Sequence, residues 1–344
     1  MNKMNKLNAF ITLGESIHDA LNSDSSPYSF ELSTAIKNAE KANPWFTEQN
    51  IRKALAEISQ MLRNIVADDI FSQYMISPEH PKTVAVIMAG NIPLVGFQDF
   101  AHVLISGHRA LCRLSSDDAV LLPVISEMLC DIDSDFRQLI SFSQSNITEF
   151  DAVIATGSNN TSRYFEYYYS SFPHIIRKNR NSLAILSGIE SSHDLEGLSH
   201  DMFSYFGFGC RNVSALRIPE DFDLHRLISG CEPFRTVLMH HKYQNNYRYY
   251  RALFETSKIP YRDCGFFLLT ESDTISGPPA VVYYRYYKHM DEVTQEIELM
   301  KHEIQCVVSK NPDIEGAVPF GQSQSPGFLD FADGVDTLGF LSGL

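Results

Sequence analysis

The chain has 344 residues, 44% of them hydrophobic and 20% charged, and its 42 acidic against 28 basic side chains give a formal net charge of −14. That composition is one of a folded globular protein and speaks against intrinsic disorder. The charge argues against nucleic-acid binding as the main task, because a phosphate backbone calls for a basic footprint, although a local basic pocket for a phosphorylated cofactor remains open.

The first 75 residues read as helices. Leu7, Phe10, Ile11, Ile17 and Leu21 recur at helical spacing, as do Ile51, Leu55, Ile58, Leu62 and Ile65, with Thr47 placed to cap the second run. No apolar run nears the roughly 20 residues that span a bilayer, and the start lacks the pattern of a secretion signal. Two prolines in "SPEHPK" (77–82) make a turn or linker. An alternation follows. "TVAVIMAG" (83–90), "RALCRLS" (109–115), "FDAVIATGS" (150–158) and "SLAILSG" (182–188) read as strands, separated by helices from Pro93 to Ser106, from Ala119 to Cys130 and through a tyrosine-rich run. Such spacing implies parallel strands joined by crossover helices, with ligands at the carboxyl ends, where Asn91, Ser115, Thr156, Gly157 and Ser158 fall.

Beyond residue 190 the pattern restarts with a helix leading to Phe206 and the segment "YFGFGCRNVSALRIP" (205–219). Further strands are expected at 264–270, 280–287 and 303–309. The fold class is therefore α/β, two domains each with a mostly parallel sheet, preceded by an N-terminal helical segment. Three regions are expected: 1–189, the helices with the first α/β domain; 190–318, a second α/β domain carrying Cys210; and 319–344, a tail.

Single motifs carry little. "GFG" before Cys210 does not continue into a dinucleotide fingerprint, and "GNIPLVG" lacks the Gly-Lys-Ser/Thr of a phosphate loop. The six cysteines show no zinc or disulfide spacing, so no metal is implied and a reducing cytoplasm fits. His240 and His241 read as solvated, and the tyrosines of 247–250 and 283–287 as packing. Cys210 differs: Gly207 and Gly209 beside it leave a thiol open to a substrate, and a thiolate is a strong nucleophile.

Taken in order, "NPWFT" (43–47), "GNIPL", "ATGSNNTSRYF", "RKNRNSLAIL", "GFGCRNVSALRIP" and "QSQSPGFLDFADGVDTLGFL" resemble the acyl-CoA reductases, the LuxC-like fatty acid reductases of the aldehyde dehydrogenase superfamily, over nearly the whole chain. The resemblance implies an aldehyde-dehydrogenase-like fold, with 1–189 including the cofactor-binding domain, 190–318 the catalytic domain, and 319–344 returning to the cofactor domain or a dimer interface, and it assigns roles. Cys210 matches the catalytic cysteine, and Asn91 the asparagine that shares the oxyanion with the cysteine's own amide. Thr156, Gly157 and Ser158 match the loop that faces the cofactor pyrophosphate. Arg113 stands where many members carry a ribose-binding lysine, and Ser116 where NAD-preferring members carry a glutamate that repels a 2′-phosphate, which favours NADPH. Glu303 aligns with the glutamate that binds the nicotinamide ribose. One departure is informative: no carboxylate occurs from Ile175 to Asn181, where hydrolytic relatives place a water-activating glutamate near the position of Arg177. Without such a base, water attack on an enzyme thioester is slow. The implied reaction is NADPH-dependent reduction of a fatty acyl-CoA or acyl-carrier thioester through an acyl-cysteine, with coenzyme A leaving. An oxidising aldehyde dehydrogenase and a non-catalytic acyl-carrier-binding subunit are the alternatives. An acyl-synthetase or carrier partner and a homodimer are further expectations of the resemblance.

Overall fold

The computed structural model describes residues 3–76, 78–143 and 147–344. They form two compact units, one of Met1–Asn179 with Pro326–Leu344 and one of Arg180–Ser325.

The first unit opens with helices α1 (Lys3–Asn22), α2 (Ser29–Ala42), α3 (Glu48–Arg63) and α4 (Ala67–Phe71). Their periodic apolar residues meet: Leu7, Phe10, Leu13 and Ile17 of α1 and Ile51, Leu55 and Leu62 of α3 are buried in one core. Thr47 caps α3, its hydroxyl accepting from the Asn50 N–H at 3.3 Å. In the "SPEHPK" turn Ser77 lies outside the described residues, and 78–82 carry no regular structure. Then come β1 (Thr83–Ile87), α5 (Phe97–Ser106), β2 (Arg109–Arg113), α6 (Leu121–Ile132), β3 (Ile140–Phe142), β4 (Ala152–Thr156), α7 (Asn159–Tyr169) and β5 (His174–Arg177). All five strands are parallel, in the order β3-β2-β1-β4-β5. Central strands of a parallel sheet are covered on both faces, so β1 and β4 read as unbroken apolar runs. The short strands β3 and β5 give no such signal and were not legible.

The second unit contains β6 (Asn181–Ile185), α8 (Ser192–Phe203), β7 (Val213–Pro219), α9 (Leu224–Cys231), α10 (His241–Ser257), β8 (Arg262–Asp263), β9 (Leu268–Glu271), β10 (Val281–Tyr287), α11 (Met290–Met300) and β11 (Ile304–Val308). Its sheet runs β11-β6-β7-β10-β9-β8, parallel except for the edge hairpin β8–β9. The apolar run "SLAIL" thus does not extend the first sheet. It is β6, lying between β11 and β7, and the division of the chain falls at Asn179 instead of near residue 189. An apolar run announces a buried strand but not which sheet receives it.

Residues 326–344, with α12 (Thr337–Ser342), pack within the first unit. Phe328, Leu338 and Leu341 join its core. Two buried histidines hold this segment. Nε2 of His102 donates to the Phe328 carbonyl and Nε2 of His108 to the Leu341 carbonyl, both at 2.9 Å. Because a carbonyl can only accept, Nδ1 of each ring is the bare nitrogen, and that of His108 accepts the Lys82 N–H at 3.0 Å. Burial pushes His102 down to about 4, so it stays neutral near pH 7. No helix among the described residues is long and apolar enough to cross a membrane.

Candidate active site

In the first unit the strand order reverses between β1 and β4, which opens a crevice at their carboxyl ends. Residues 88–96 follow β1 as a turn, not as the first part of a helix, and α5 starts only at Phe97. The reason is Leu94, which sits at φ 58, a left-handed conformation that no helix continues. Asp118 stabilises it: its buried carboxylate accepts the Leu94 N–H at 2.6 Å. Burial pushes Asp118 up to about 6, opposed by that hydrogen bond. The other carboxylate oxygen is buried with no partner. Gly90 is required by close approach, since a Cβ there would fall 2.5 Å from the Ser115 hydroxyl. On this turn Asn91 is exposed.

The other expected residues of this unit lie on neighbouring strand ends. Arg113 is the last residue of β2, opposite Ile87 in register and half-buried, while Ser116 is exposed in the turn beyond. Thr156 ends β4, and the Gly157 N–H donates to the Arg177 carbonyl at 3.2 Å. Ser158 caps α7, its hydroxyl accepting the Thr161 N–H at 3.2 Å. A cap satisfies only one of the four free donors of a helix start, so the remaining N–H groups of the 11-residue α7 are available to an anion.

Arg177 has a structural task. It is 3% exposed, and its guanidinium pairs with Asp99 through two hydrogen bonds, at 2.7 and 3.1 Å. It also donates to the Ala332 carbonyl and, at 2.8 Å, to the Thr337 hydroxyl. It ties β5 to α5 and to the C-terminal segment.

In the second unit the site residues gather at the amino ends of three strands, not at the carboxyl ends where sequence reasoning looks for ligands. The Asn181 N–H of β6 donates to the Glu303 carbonyl at 3.0 Å, and the Ser182 N–H to the Asn212 carbonyl at 3.3 Å. Glu303, before β11, and the Cys210 turn, before β7, therefore flank the start of β6. The Glu303 side chain is exposed and 3.4 Å from His302.

The Cys210 turn is a shaped one. After α8 the backbone passes through three left-handed residues, Tyr205 (φ 53), Phe206 (φ 58) and Gly207 (φ 83). Left-handed geometry costs a non-glycine residue roughly 1–2 kcal/mol, so two in succession need support. Asn212 gives it. Buried to 2% exposure, it accepts the Gly209 N–H at 2.8 Å and donates to the carbonyls of Ser204 at 2.7 Å and Asp201 at 3.1 Å. Asp201, itself buried, receives the N–H groups of Gly321 and Ser323. The Ser182 hydroxyl donates to the Cys210 carbonyl at 3.0 Å. The result is a half-exposed thiol on a fixed turn. Cys112, Cys130, Cys231 and Cys264 are buried, and burial raises all four thiols, Cys264 to about 12.

Sequence reasoning singled out Cys210 but not the residues that hold its turn. Asn212, Ser182 and Asp118 are polar residues beside expected site positions, and only their burial reveals their work. His240 also differs from expectation. Instead of standing in solvent it stacks on Phe206, ring centroids 4.5 Å apart, and caps α10. The tyrosines of 247–250 divide: Tyr247 is buried and donates to Asp263, whereas Tyr249 is exposed.

The fold is shared with solved aldehyde dehydrogenases. The chain resembles the indole-3-acetaldehyde dehydrogenase AldA of P. syringae, solved with NAD+ and IAA, at 11% identity and TM-score 0.63 over 90% of this chain and 72% of that one. It resembles KauB from Pseudomonas aeruginosa at 11% identity and TM-score 0.62, over 91% and 73%. An aldehyde dehydrogenase of Mycobacterium tuberculosis complexed with NAD+ aligns at 13% identity and TM-score 0.60, over 89% and 74%. No curated protein sequence matches the chain. Residues 18–216, which include β1 to β6, Asn91 and Cys210, match the family described as acyl-CoA reductase (LuxC). With that match over more than half its length and this fold beneath it, the chain belongs to the acyl-CoA reductase (LuxC) family of oxidoreductases that act on acyl or aldehyde groups.

Proposed function

We propose that the protein reduces a fatty acyl thioester, carried on coenzyme A or on a carrier protein, to the aldehyde with NADPH. The observation that carries this reading is the Cys210 thiol, half-exposed on a turn fixed by Asn212 and Ser182. Its direction, reduction and not hydrolysis, is supported by the lack of any carboxylate from Ile175 to Asn181 and by Arg177, which lies near the place the resemblance gives a water-activating glutamate and is locked to Asp99.

In this reading the Cys210 thiolate attacks the thioester carbonyl. The Cys210 N–H and, on the resemblance, the Asn91 amide stabilise the oxyanion. Each such donor contributes roughly 3 kcal/mol in the transition state. The carrier thiol leaves and an acyl-Cys210 thioester remains. Bound NADPH supplies the hydride that takes this thioester to the aldehyde level. Collapse of the tetrahedral adduct then expels the Cys210 thiolate and frees the product.

The first unit fits a nicotinamide dinucleotide. Its crevice lies where the strand order reverses, α7 presents its amino end there, and NAD+ is named with the structures of P. syringae and M. tuberculosis. Thr156, Gly157 and Ser158 would hold the pyrophosphate, Arg113 and the neutral Ser116 the 2′-phosphate, and Glu303 the nicotinamide ribose. The test is aldehyde formation from long-chain acyl-CoA with NADPH and, separately, with NADH. Activity that survives Cys210→Ala, or acid formation from aldehyde and NADP⁺ without coenzyme A as the main reaction, would sink the proposal.

A further inference from the structure

Linked to the nucleophile's turn through Ser182 is a second thiol that the reaction above does not use. Cys306, in β11, is the other half-exposed cysteine; the remaining four are buried. Its sulfur is 3.0 Å from the Ser182 hydroxyl, which stands 3.0 Å from the Cys210 carbonyl oxygen, so the sulfur lies within about 6 Å of the Cys210 main chain. The one proton of Ser182 goes to that carbonyl. The contact with Cys306 is therefore a donation from its S–H, and Cys306 is held as a protonated thiol. Burial raises its pKa, opposed in part by the Arg211 charge.

Resting on the reading of Cys210 as the nucleophile, we propose that Cys306 is its resolving partner: a hydroperoxide oxidises Cys210, and Cys306 closes a disulfide with it that a dithiol reductant reopens. The Cys210 thiolate attacks the distal oxygen of the hydroperoxide, giving a sulfenic acid and releasing an alkoxide or hydroxide. The Cys306 sulfur then attacks the Cys210 sulfur. The S–S bond forms, the S–OH bond breaks, and the hydroxyl leaves with the Cys306 proton as water. Without a partner thiol, a sulfenic acid proceeds to sulfinic acid, which thiols do not reverse.

A disulfide needs its Cα atoms roughly 4.4–6.8 Å apart, so the backbone has to be able to yield. Cys306 sits where it can, within the irregularity of β11, where the register to β6 shifts between Ile304 and Val307, while Asn212 and Ser182 keep the Cys210 turn in place. A resting Cys306 that stays protonated leaves the acyl group to Cys210.

The experiment treats the full-length protein with hydrogen peroxide, then with dithiothreitol. It follows reductase activity with acyl-CoA and NADPH and maps peptides under non-reducing conditions. Wild type should lose activity, show a Cys210–Cys306 linked peptide, and recover most of its activity on reduction. Cys306→Ser, normalised to its own untreated activity, should recover less than about a tenth, with Cys210 found as sulfinic acid. The linked peptide is read on wild type, so the test does not depend on how the variant folds. Peroxide inactivation with no such peptide, or a Cys306→Ser protein that recovers as fully as wild type, overturns this inference alone. A Cys210→Ala protein that still turns over, together with a peroxide-insensitive wild type, overturns the proposed function instead.

Discussion

Arg177→Met strips the cation from a buried pair and should unfold the first unit far more easily. The guanidinium is 3% exposed, and Asp99, 7% exposed, receives two of its hydrogen bonds; the Ala332 carbonyl and Thr337 hydroxyl lose theirs as well. Breaking a buried ion pair from one side costs about 3–5 kcal/mol, because the remaining charge stays desolvated. The urea dependence grows with the surface exposed, and at about 3 kcal/mol per molar, suited to a large unit, the midpoint should fall by about 1–2 M. Trp45, the only tryptophan, belongs to this unit, so its fluorescence reports the transition directly. The double variant Asp99→Leu with Arg177→Met should regain more than half of the loss, since neither charge is then left alone. A single variant within about 0.3 M of wild type, or a double variant no better than the single, would refute the argument that this pair anchors the C-terminal segment. For the same reason Arg177→Glu should not create a hydrolase: it sets a second carboxylate against Asp99, and the expected outcome is an unstable protein with no gain in thioester hydrolysis.

Three further outcomes are expected. Asn212→Ala removes the acceptor of the Gly209 N–H and the amide that donates to the Ser204 and Asp201 carbonyls, which should cost about 1–3 kcal/mol of stability, change the alkylation rate of Cys210 and lower kcat/KM by more than about tenfold; unchanged alkylation and activity would remove Asn212 from the account. Asn91→Ala, on an exposed turn, should lower kcat by about 10²- to 10³-fold with an unchanged Tm, and a mere rise in KM would contradict an oxyanion role. Asp118 has its pKa raised on folding from 3.8 to about 6, so its buried charge destabilises fully above pH 6 and the cost is relieved as the pH falls from 6 towards 4. Relative to Asp118→Asn, wild type should therefore gain about 1 kcal/mol between pH 7 and pH 5, read by urea unfolding at each pH; a flat difference would mean that the carboxylate is not buried as a charge.

The sequence made some of this fold legible and concealed the rest for identifiable reasons. β1 and β4 are central and covered on both faces, so Val84–Ile87 and Ala152–Ala155 declare themselves as apolar runs. β3 and β5 are three- and four-residue edge strands with exposed members, and edges carry no such pattern. β6 was visible as a strand, but its place between β11 and β7 depends on pairing across more than a hundred residues of sequence. In the candidate site Cys210 stood out because glycines beside a thiol are unusual. Asn212, two positions on, carries no motif of its own. Its role lies in three hydrogen bonds to backbone groups that no spacing rule connects. Asp118 escaped notice likewise, because its partner is the left-handed Leu94, 24 positions earlier.

The central claim is that Cys210 carries the acyl group, and intact-mass spectrometry after mixing with long-chain acyl-CoA in the absence of NADPH tests it most directly. Wild type should gain the mass of one acyl group, placed on Cys210 by peptide mapping, and Cys210→Ala should gain none. Adding NADPH should discharge the adduct as aldehyde. An adduct that survives Cys210→Ala, or one that decays to fatty acid before NADPH is added, would contradict the account.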